Sequence, residues 1–147
     1  MTYLNSNQLK QYSDEGFVSP VNIFSKEKAK EIRDEIELIE KKLPNELEKT
    51  GRYNAHLISP MLDEVTHNEN ILNAVESLIG GNILVCGTTL FIKNPGEGGF
   101  VSYHQDAKYI GLEPHNWVTA WVAITDSNEN NGCMKMWSGS HKDNLKE

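Results

Sequence analysis

The spacing of apolar residues changes at Gly80-Gly81, and this change constrains the fold more than any other feature of the 147-residue chain. Before the glycine pair, apolar residues recur at three- and four-residue intervals, which is the period of an amphipathic helix. After it, short runs rich in Ile, Leu, Val, Thr and Phe are separated by turn residues, which is typical of strands. We therefore expect a mainly helical layer over residues 1–81 and a β-rich part over residues 82–147.

Three helices are predicted in the first part. Asn5 or Ser6 caps a first helix that ends at Gly16, a residue type favoured at left-handed C-caps. Ser25 caps a long second helix that Pro44 ends, and a third precedes the glycine pair. The charges of the second helix favour a solvated face over a partner-binding one. The apolar positions of the second and third helices are Ala29, Ile32, Ile36, Ile39 and Leu43, and Ile71, Leu72, Val75, Leu78 and Ile79.

Four segments of the second part are predicted to be strands. They are residues 82–93, 100–106, 117–124 and 133–137, and a strong turn signal over residues 94–99 separates the first two. Short strands of this kind behind a helical layer favour an antiparallel barrel or jelly roll. The expected fold class is α+β, in a single domain.

Composition excludes several classes of protein. With 21 acidic and 14 basic residues, the net charge of −7 argues against a nucleic-acid partner. No apolar run approaches the roughly 20 residues of a spanning helix, which argues against a membrane protein. The first residues lack the features of a signal peptide, and Cys86 and Cys133 are too few for a disulfide framework. A cytoplasmic location is therefore expected.

The motif His104-Gln105-Asp106 is the strongest candidate for chemistry. Residues i and i+2 of a strand share a face, so an imidazole and a carboxylate would point to one place. They are two of the three ligands in the 2-His-1-carboxylate triad, which holds Fe(II) and leaves open positions. Taken alone, so short a motif is more often a surface histidine beside a solvated aspartate.

The surrounding motifs strengthen this interpretation. In order, they are Phe91–Asp106, Trp117–Asp126, Gly132-Cys133 and Gly139–Lys142, and Leu9–Ile36 has the pattern of an opening helical segment. This order resembles that of the phytanoyl-CoA dioxygenase family of Fe(II)/2-oxoglutarate-dependent oxygenases. The resemblance implies N-terminal helices packed on a double-stranded β-helix, a jelly-roll or cupin-like barrel. It also implies Fe(II), 2-oxoglutarate and O2 as cofactor and cosubstrates.

The resemblance assigns a role to each matching position. His104 and Asp106 would be catalytic iron ligands, and the carboxylate of Asp106 implies hydroxylation, because halogenating relatives carry a small residue there. The substrate would be a small molecule or an acyl compound.

Four further residues are expected at the cosubstrate. Gln105 lies between the two ligands, and Trp121 matches an aromatic residue that lines the 2-oxoglutarate pocket, although a core role is open to it. Thr119 would share a strand face with Trp121. Lys93 would contact cosubstrate or substrate, and a solvated lysine is an equal alternative.

Two functional groups of the family have no match. A distal histidine ligand and an arginine that pairs with 2-oxoglutarate are expected after the motif, but the only arginines, Arg33 and Arg52, precede it. His115 is too close to His104, and His141 belongs to a Gly-Ser-His turn, where a structural role is expected. This pattern predicts that the C-terminal half of the barrel is missing, so that the chain binds Fe(II) and 2-oxoglutarate weakly and has doubtful activity alone.

Two other functional classes stay open. One is a non-catalytic binding domain that retains the fold, and the other is a cupin-like metal enzyme that does not use 2-oxoglutarate. An exposed barrel edge would also leave self-association open.

Overall fold

The computed structural model describes residues 3–44, 52–96 and 98–143. In the part of the chain so described, no helix combines the length and the apolar content needed to cross a bilayer. The helices are α1 (Ser6–Glu15), α2 (Lys26–Lys42), α3 (Pro60–Thr66), α4 (Glu69–Ile79) and the single-turn α5 (Ala107–Ile110), with 3-10 turns at Ala55–Leu57, Glu129–Asn131 and Ser140–Lys142.

The predicted caps of α1 and α2 are confirmed. Asn5 accepts a hydrogen bond from the amide of Gln8 at 3.0 Å, and the Gln8 side chain accepts one from the amide of Asn5 at 3.0 Å. This reciprocal capping box satisfies two amides that the helix itself leaves unpaired. Gly16 ends α1 in the left-handed conformation at φ 85°, and the hydroxyl of Ser25 accepts from the amide of Lys28 at 3.2 Å.

The buried core lies between α2, the 3-10 turn at Ala55–Leu57 and α3. Ser59, only 2% exposed, caps α3 and donates a hydrogen bond to Glu35 at 2.9 Å, so its buried hydroxyl is satisfied. The core consists of Ile32, Ile36, Ala55 and Leu62, against which Phe24, Ile39, Met61, Val65, Leu90, Ile92 and Ile124 pack. The apolar stripe predicted for α2 is therefore the face that builds the core.

The predicted barrel is wrong. The described residues form no β-strand, and the one β-type pairing among them is an isolated antiparallel bridge between Tyr53 and Thr89. Residues 98–105, 115–123 and 133–137 carry no regular secondary structure. The double-stranded β-helix, jelly-roll or cupin-like barrel expected from the family resemblance is thus not the architecture observed, which is helix and irregular segments.

The physical reason for the difference is pairing. An alternating pattern shows that residues suit a half-buried pleated surface, but a strand forms only where a neighbour accepts its hydrogen bonds. Here Leu84 and Phe100 are 89% and 86% exposed, so the burial that stabilises a sheet is absent at these positions.

The turn around Ser140–Lys142 packs against the end of α1. The amide of Gly139 donates to the carbonyl of Glu15 at 2.8 Å, and Nε2 of His141 donates to the carbonyl of Ser13 at 3.1 Å. A Cβ atom on Gly16 would lie 2.5 Å from Nδ1 of His141, so only glycine fits there. The second part of the chain is therefore anchored on the first helix.

Candidate metal and cosubstrate site

His104 and Asp106 meet, although not on a strand. Asp106 has helical dihedral angles (φ −54°, ψ −39°) and immediately precedes α5, so the strand predicted for residues 100–106 is wrong at this point. The start of the helical turn nevertheless brings the two side chains together, with Nε2 of His104 at 3.1 Å from Oδ1 of Asp106. The juxtaposition that the motif predicts is therefore present, built by a turn.

The hydrogen bonds of His104 make it suitable as a metal ligand. Its Nδ1 lies 2.8 Å from the carbonyl of Ser102. Because a carbonyl can only accept, Nδ1 must carry the proton of this bond. Two lone pairs would repel each other at 3.1 Å, so the contact between Nε2 and Oδ1 of Asp106 needs a cation between the two atoms, either a second ring proton or a metal ion. Metal-binding histidines have this arrangement, with the other ring nitrogen donating to a carbonyl or a carboxylate.

Two further residues hold Asp106. The hydroxyl of Thr119 donates to Oδ2 of Asp106 at 2.6 Å, and Nε1 of Trp117 donates to the hydroxyl of Thr119 at 3.1 Å. The ring of Tyr109 contacts the imidazole of His104 edge-on, with centroids 5.7 Å apart. The side chains of His104 and Asp106 are 32% and 44% exposed, so the pair is open to solvent and to ligands.

The other predicted cosubstrate residues lie in different surroundings. The side-chain Nε2 of Gln105 donates to the carbonyl of Ser140 at 2.8 Å, which links the motif to the turn that packs on α1. The ammonium of Lys93 donates to the carbonyl of Gly132, and Trp121 is 42% exposed. Of the four residues, Thr119 is the one with a described bond to the His104–Asp106 pair, and the cosubstrate roles stay predictions.

A third ligand is not in place. Within residues 3–44, 52–96 and 98–143, no three His, Cys, Asp or Glu side chains form a group that could hold a metal ion. His141 is hydrogen-bonded to Ser13 and lies against Gly16, which fits the structural role expected for it. The two donor types, an imidazole and a carboxylate, suit a metal ion, and they would supply two of its ligands.

Trp117 and Tyr109 are contacts that the sequence did not single out. The i, i+2 spacing of Trp117 and Thr119 puts both side chains on one face of an extended segment. That spacing was the available signal. Tyr109 reaches His104 only because α5 forms, and nothing in the pattern predicts this turn.

A cavity of about 820 Å³ lies where the first part of the chain meets the second. It is formed by the 3-10 turn at Ala55–Leu57, α3, α4 and residues 81–85, and neither His104 nor Asp106 contributes to its wall. Its side chains include Leu57, Leu72, Leu84, Asp63, Glu69 and Glu76. The cavity therefore does not enclose the candidate metal site.

Comparison with known proteins identifies the family of the chain. The family model for phytanoyl-CoA dioxygenase (PhyH) matches residues 12–147. The chain belongs to this family. "Phytanoyl-CoA dioxygenase domain-containing protein 1" of Danio rerio is 34% identical over 91 residues, which are 61% of this chain and 31% of that protein. No solved structure matches significantly.

Two other relatives match over nearly all of the chain. "Phytanoyl-CoA dioxygenase, peroxisomal" of Rattus norvegicus is 29% identical over 166 residues, covering 97% of this chain and 49% of its own length. "Probable alpha-ketoglutarate-dependent hypophosphite dioxygenase" of Stutzerimonas stutzeri is 25% identical over 154 residues, covering 93% and 54%. The chain thus spans about a third of the length of the first relative and about half of the other two. The family is that of dioxygenases.

Proposed function

We propose that the chain carries the iron-binding motif of an Fe(II)/2-oxoglutarate-dependent dioxygenase that hydroxylates a small-molecule or acyl substrate. The observation that carries the proposal is the approach of Nε2 of His104 to Oδ1 of Asp106 at 3.1 Å. Family membership supports an oxygenase, and one relative is named for alpha-ketoglutarate, which is 2-oxoglutarate.

The residues of the chain have distinct tasks in this proposal. His104 and Asp106 would hold Fe(II), which together with 2-oxoglutarate and O2 would supply the oxidising chemistry. The carbonyl of Ser102 keeps the proton of His104 on Nδ1, so that Nε2 can act as the ligand atom. Thr119 donates to Oδ2 of Asp106 and so would hold the carboxylate in place for ligation. The ring of Tyr109 contacts one side of the imidazole edge-on and would help to orient it.

The proposed cosubstrate contacts would require an exchange of partners. Lys93 and Gln105 donate to the carbonyls of Gly132 and Ser140. Hydrogen bonds with an ionised partner are roughly twice as strong as neutral ones, so the neutral amide of Gln105 would gain by turning to a 2-oxoglutarate carboxylate. The ammonium of Lys93 would gain the attraction between opposite charges. Trp121 is proposed to line the cosubstrate.

We expect the chain to bind Fe(II) and 2-oxoglutarate weakly. Two protein ligands are described, whereas non-haem iron sites of this class use three. The test is an anaerobic titration of Fe(II) and 2-oxoglutarate, followed by the visible charge-transfer band of their complex. Wild-type protein should show the band only at high ligand concentrations, and His104→Ala and Asp106→Ala should abolish it.

Asp126→Ala is the matched control, because it removes the same charge outside the motif. If it reduced the band as much as Asp106→Ala did, the assignment of Asp106 would be wrong. A tight complex in the wild type would contradict the weak site. A folded wild-type chain that binds neither ligand would instead favour a non-catalytic binding domain, a candidate that the two-ligand donor set also supports.

A further inference from the structure

We infer that Thr119 and Trp117 are positioning residues for Asp106, linked in a directed chain of hydrogen bonds from the indole to the carboxylate. Thr119 would then act on the metal ligand and not, as the strand face expected to be shared with Trp121 suggested, on the cosubstrate. The inference rests on the proposed function, because it assigns Asp106 the role of a ligand.

The direction of the chain follows from the chemistry of its members. An indole N–H can only donate and a carboxylate can only accept, so the hydroxyl between them must accept from one and donate to the other. The distances are 3.1 Å from Nε1 of Trp117 to Oγ1 of Thr119 and 2.6 Å from Oγ1 to Oδ2 of Asp106. The second distance lies in the range of a charge-assisted O–H···O⁻ bond.

This geometry fixes which carboxylate oxygen faces His104. Oδ2 is occupied by Thr119, so Oδ1 is the oxygen directed at Nε2, 3.1 Å away. The side chain of Asp106 is 44% exposed, and no packed core holds it in this rotamer. Without the hydroxyl of Thr119, the carboxylate could turn towards water, and the ligand pair would have to be reassembled at each binding event.

The same geometry argues against a cosubstrate role for Thr119. A threonine hydroxyl has one proton, and here that proton is directed at Asp106. Donation to 2-oxoglutarate would require the bond to Asp106 to break.

The test measures Mn²⁺ binding to the whole chain by electron paramagnetic resonance, in the absence of 2-oxoglutarate. Thr119→Val keeps the shape and removes the hydroxyl, and Thr119→Ser retains the hydroxyl. Loss of a bond that orients a ligand typically costs 10–100-fold in metal affinity, so we expect about a 10-fold weaker affinity for Thr119→Val. Thr119→Ser should bind Mn²⁺ within about twofold of the wild-type affinity, and the affinity of Trp117→Phe should lie between those of Thr119→Val and Thr119→Ser.

Thr88→Val is the matched control. Thr88 also bonds a polar side chain through its hydroxyl, Nδ1 of His56 at 2.8 Å, but contacts no residue of the motif. It should leave the affinity for Mn²⁺ unchanged. If Thr88→Val weakened binding equally, or if Thr119→Ser failed to restore it, the effect would be one of packing and the inference would be overturned.

A second readout uses the metal-free protein. The indole N–H resonance of Trp117 and the side-chain carboxyl ¹³C resonance of Asp106 should both shift in Thr119→Val and return in Thr119→Ser. Unchanged resonances would overturn the hydrogen-bond chain. If the resonances shift as expected but wild-type protein binds no Mn²⁺, the chain of bonds stands and the proposed iron site fails.

Discussion

Apolar residues are buried more completely in the first part of the molecule than in the second. Between residues 3 and 79, Ile32 is fully buried by the helices around it, whereas Leu84 and Phe100 in the second part are 89% and 86% exposed. The difference shows that apolar content alone does not build a core, because each element needs a neighbour that covers it. The candidate metal ligands lie in the less buried part. There, side-chain hydrogen bonds hold the side chains in position, as packing does in the first part.

Truncation of a core side chain should give the largest change in the free energy of unfolding. Ile32→Ala removes a fully buried side chain from the α2 face, so we expect it to lower the free energy of unfolding by about 2–5 kcal/mol. Urea denaturation followed by circular dichroism measures the change. Leu84→Ala is the control in the second part and should change the free energy of unfolding by less than about 0.5 kcal/mol. Equal effects at the two positions would erase the contrast between the parts.

Disruption of the contact between the two parts should give the second largest change in the free energy of unfolding. Gly16→Ala must adopt a left-handed conformation and place its Cβ 2.5 Å from Nδ1 of His141. We expect it to lower the free energy of unfolding by about 2–3 kcal/mol, from backbone strain and overpacking together.

Gly111→Ala separates the two causes. Gly111 is also left-handed, at φ 67°, but a Cβ there meets no atom within 4 Å. It should therefore show the backbone cost alone, about 1–2 kcal/mol. If the two variants were equally destabilised, the turn at Ser140–Lys142 would not be packed on α1 in solution.

An ion pair at the same contact should give the smallest effect. The hydrogen bond and charge of Lys10 hold the pKa of Asp14 below its ordinary value, and Lys142 at 3.8 Å adds to this. A depressed folded-state pKa stabilises the protein above the ordinary pKa of aspartate, and this contribution is lost as the pH falls through the folded-state value. Asp14→Asn should therefore lower Tm slightly near neutral pH and not in strong acid.

Asp34→Asn is the control for this titration, because Asp34 pairs with Lys30 within α2 and not with the turn. Its Tm difference should not depend on Lys142, whereas that of Asp14→Asn should shrink when Lys142→Ala is added. A Tm difference for Asp14→Asn that grew in acid would contradict the direction assigned to its pKa.

Local signals in the sequence were sufficient for the helices but not for the second part. The caps at Asn5 and Ser25 and the apolar stripe of α2 are set by neighbours within one or two turns, and the structure confirms them. The barrel depended on pairing between distant segments, which an alternating pattern does not specify, and that prediction is wrong. For α3, a serine followed by a proline at its start was the unused signal.

The proximity of His104 and Asp106 was predictable from the sequence, but the hydrogen bonds that hold Asp106 were not. His104 and Asp106 follow from the motif, and their proximity is observed. The bonds from Trp117 and Thr119 depend on how the second segment lies against the motif, which the sequence does not encode locally. The domain boundaries, the cytoplasmic location and the partners of the chain stay predictions.

The docking of His141 on α1 also has a consequence for the order of folding. The hydrogen bond to Ser13 joins residues 128 positions apart, and the entropy lost in closing a loop grows with its length. Helices such as α2 form from near neighbours and have no such delay. We therefore expect this contact to form after the rate-limiting step, so that its removal accelerates unfolding and leaves the folding rate nearly unchanged.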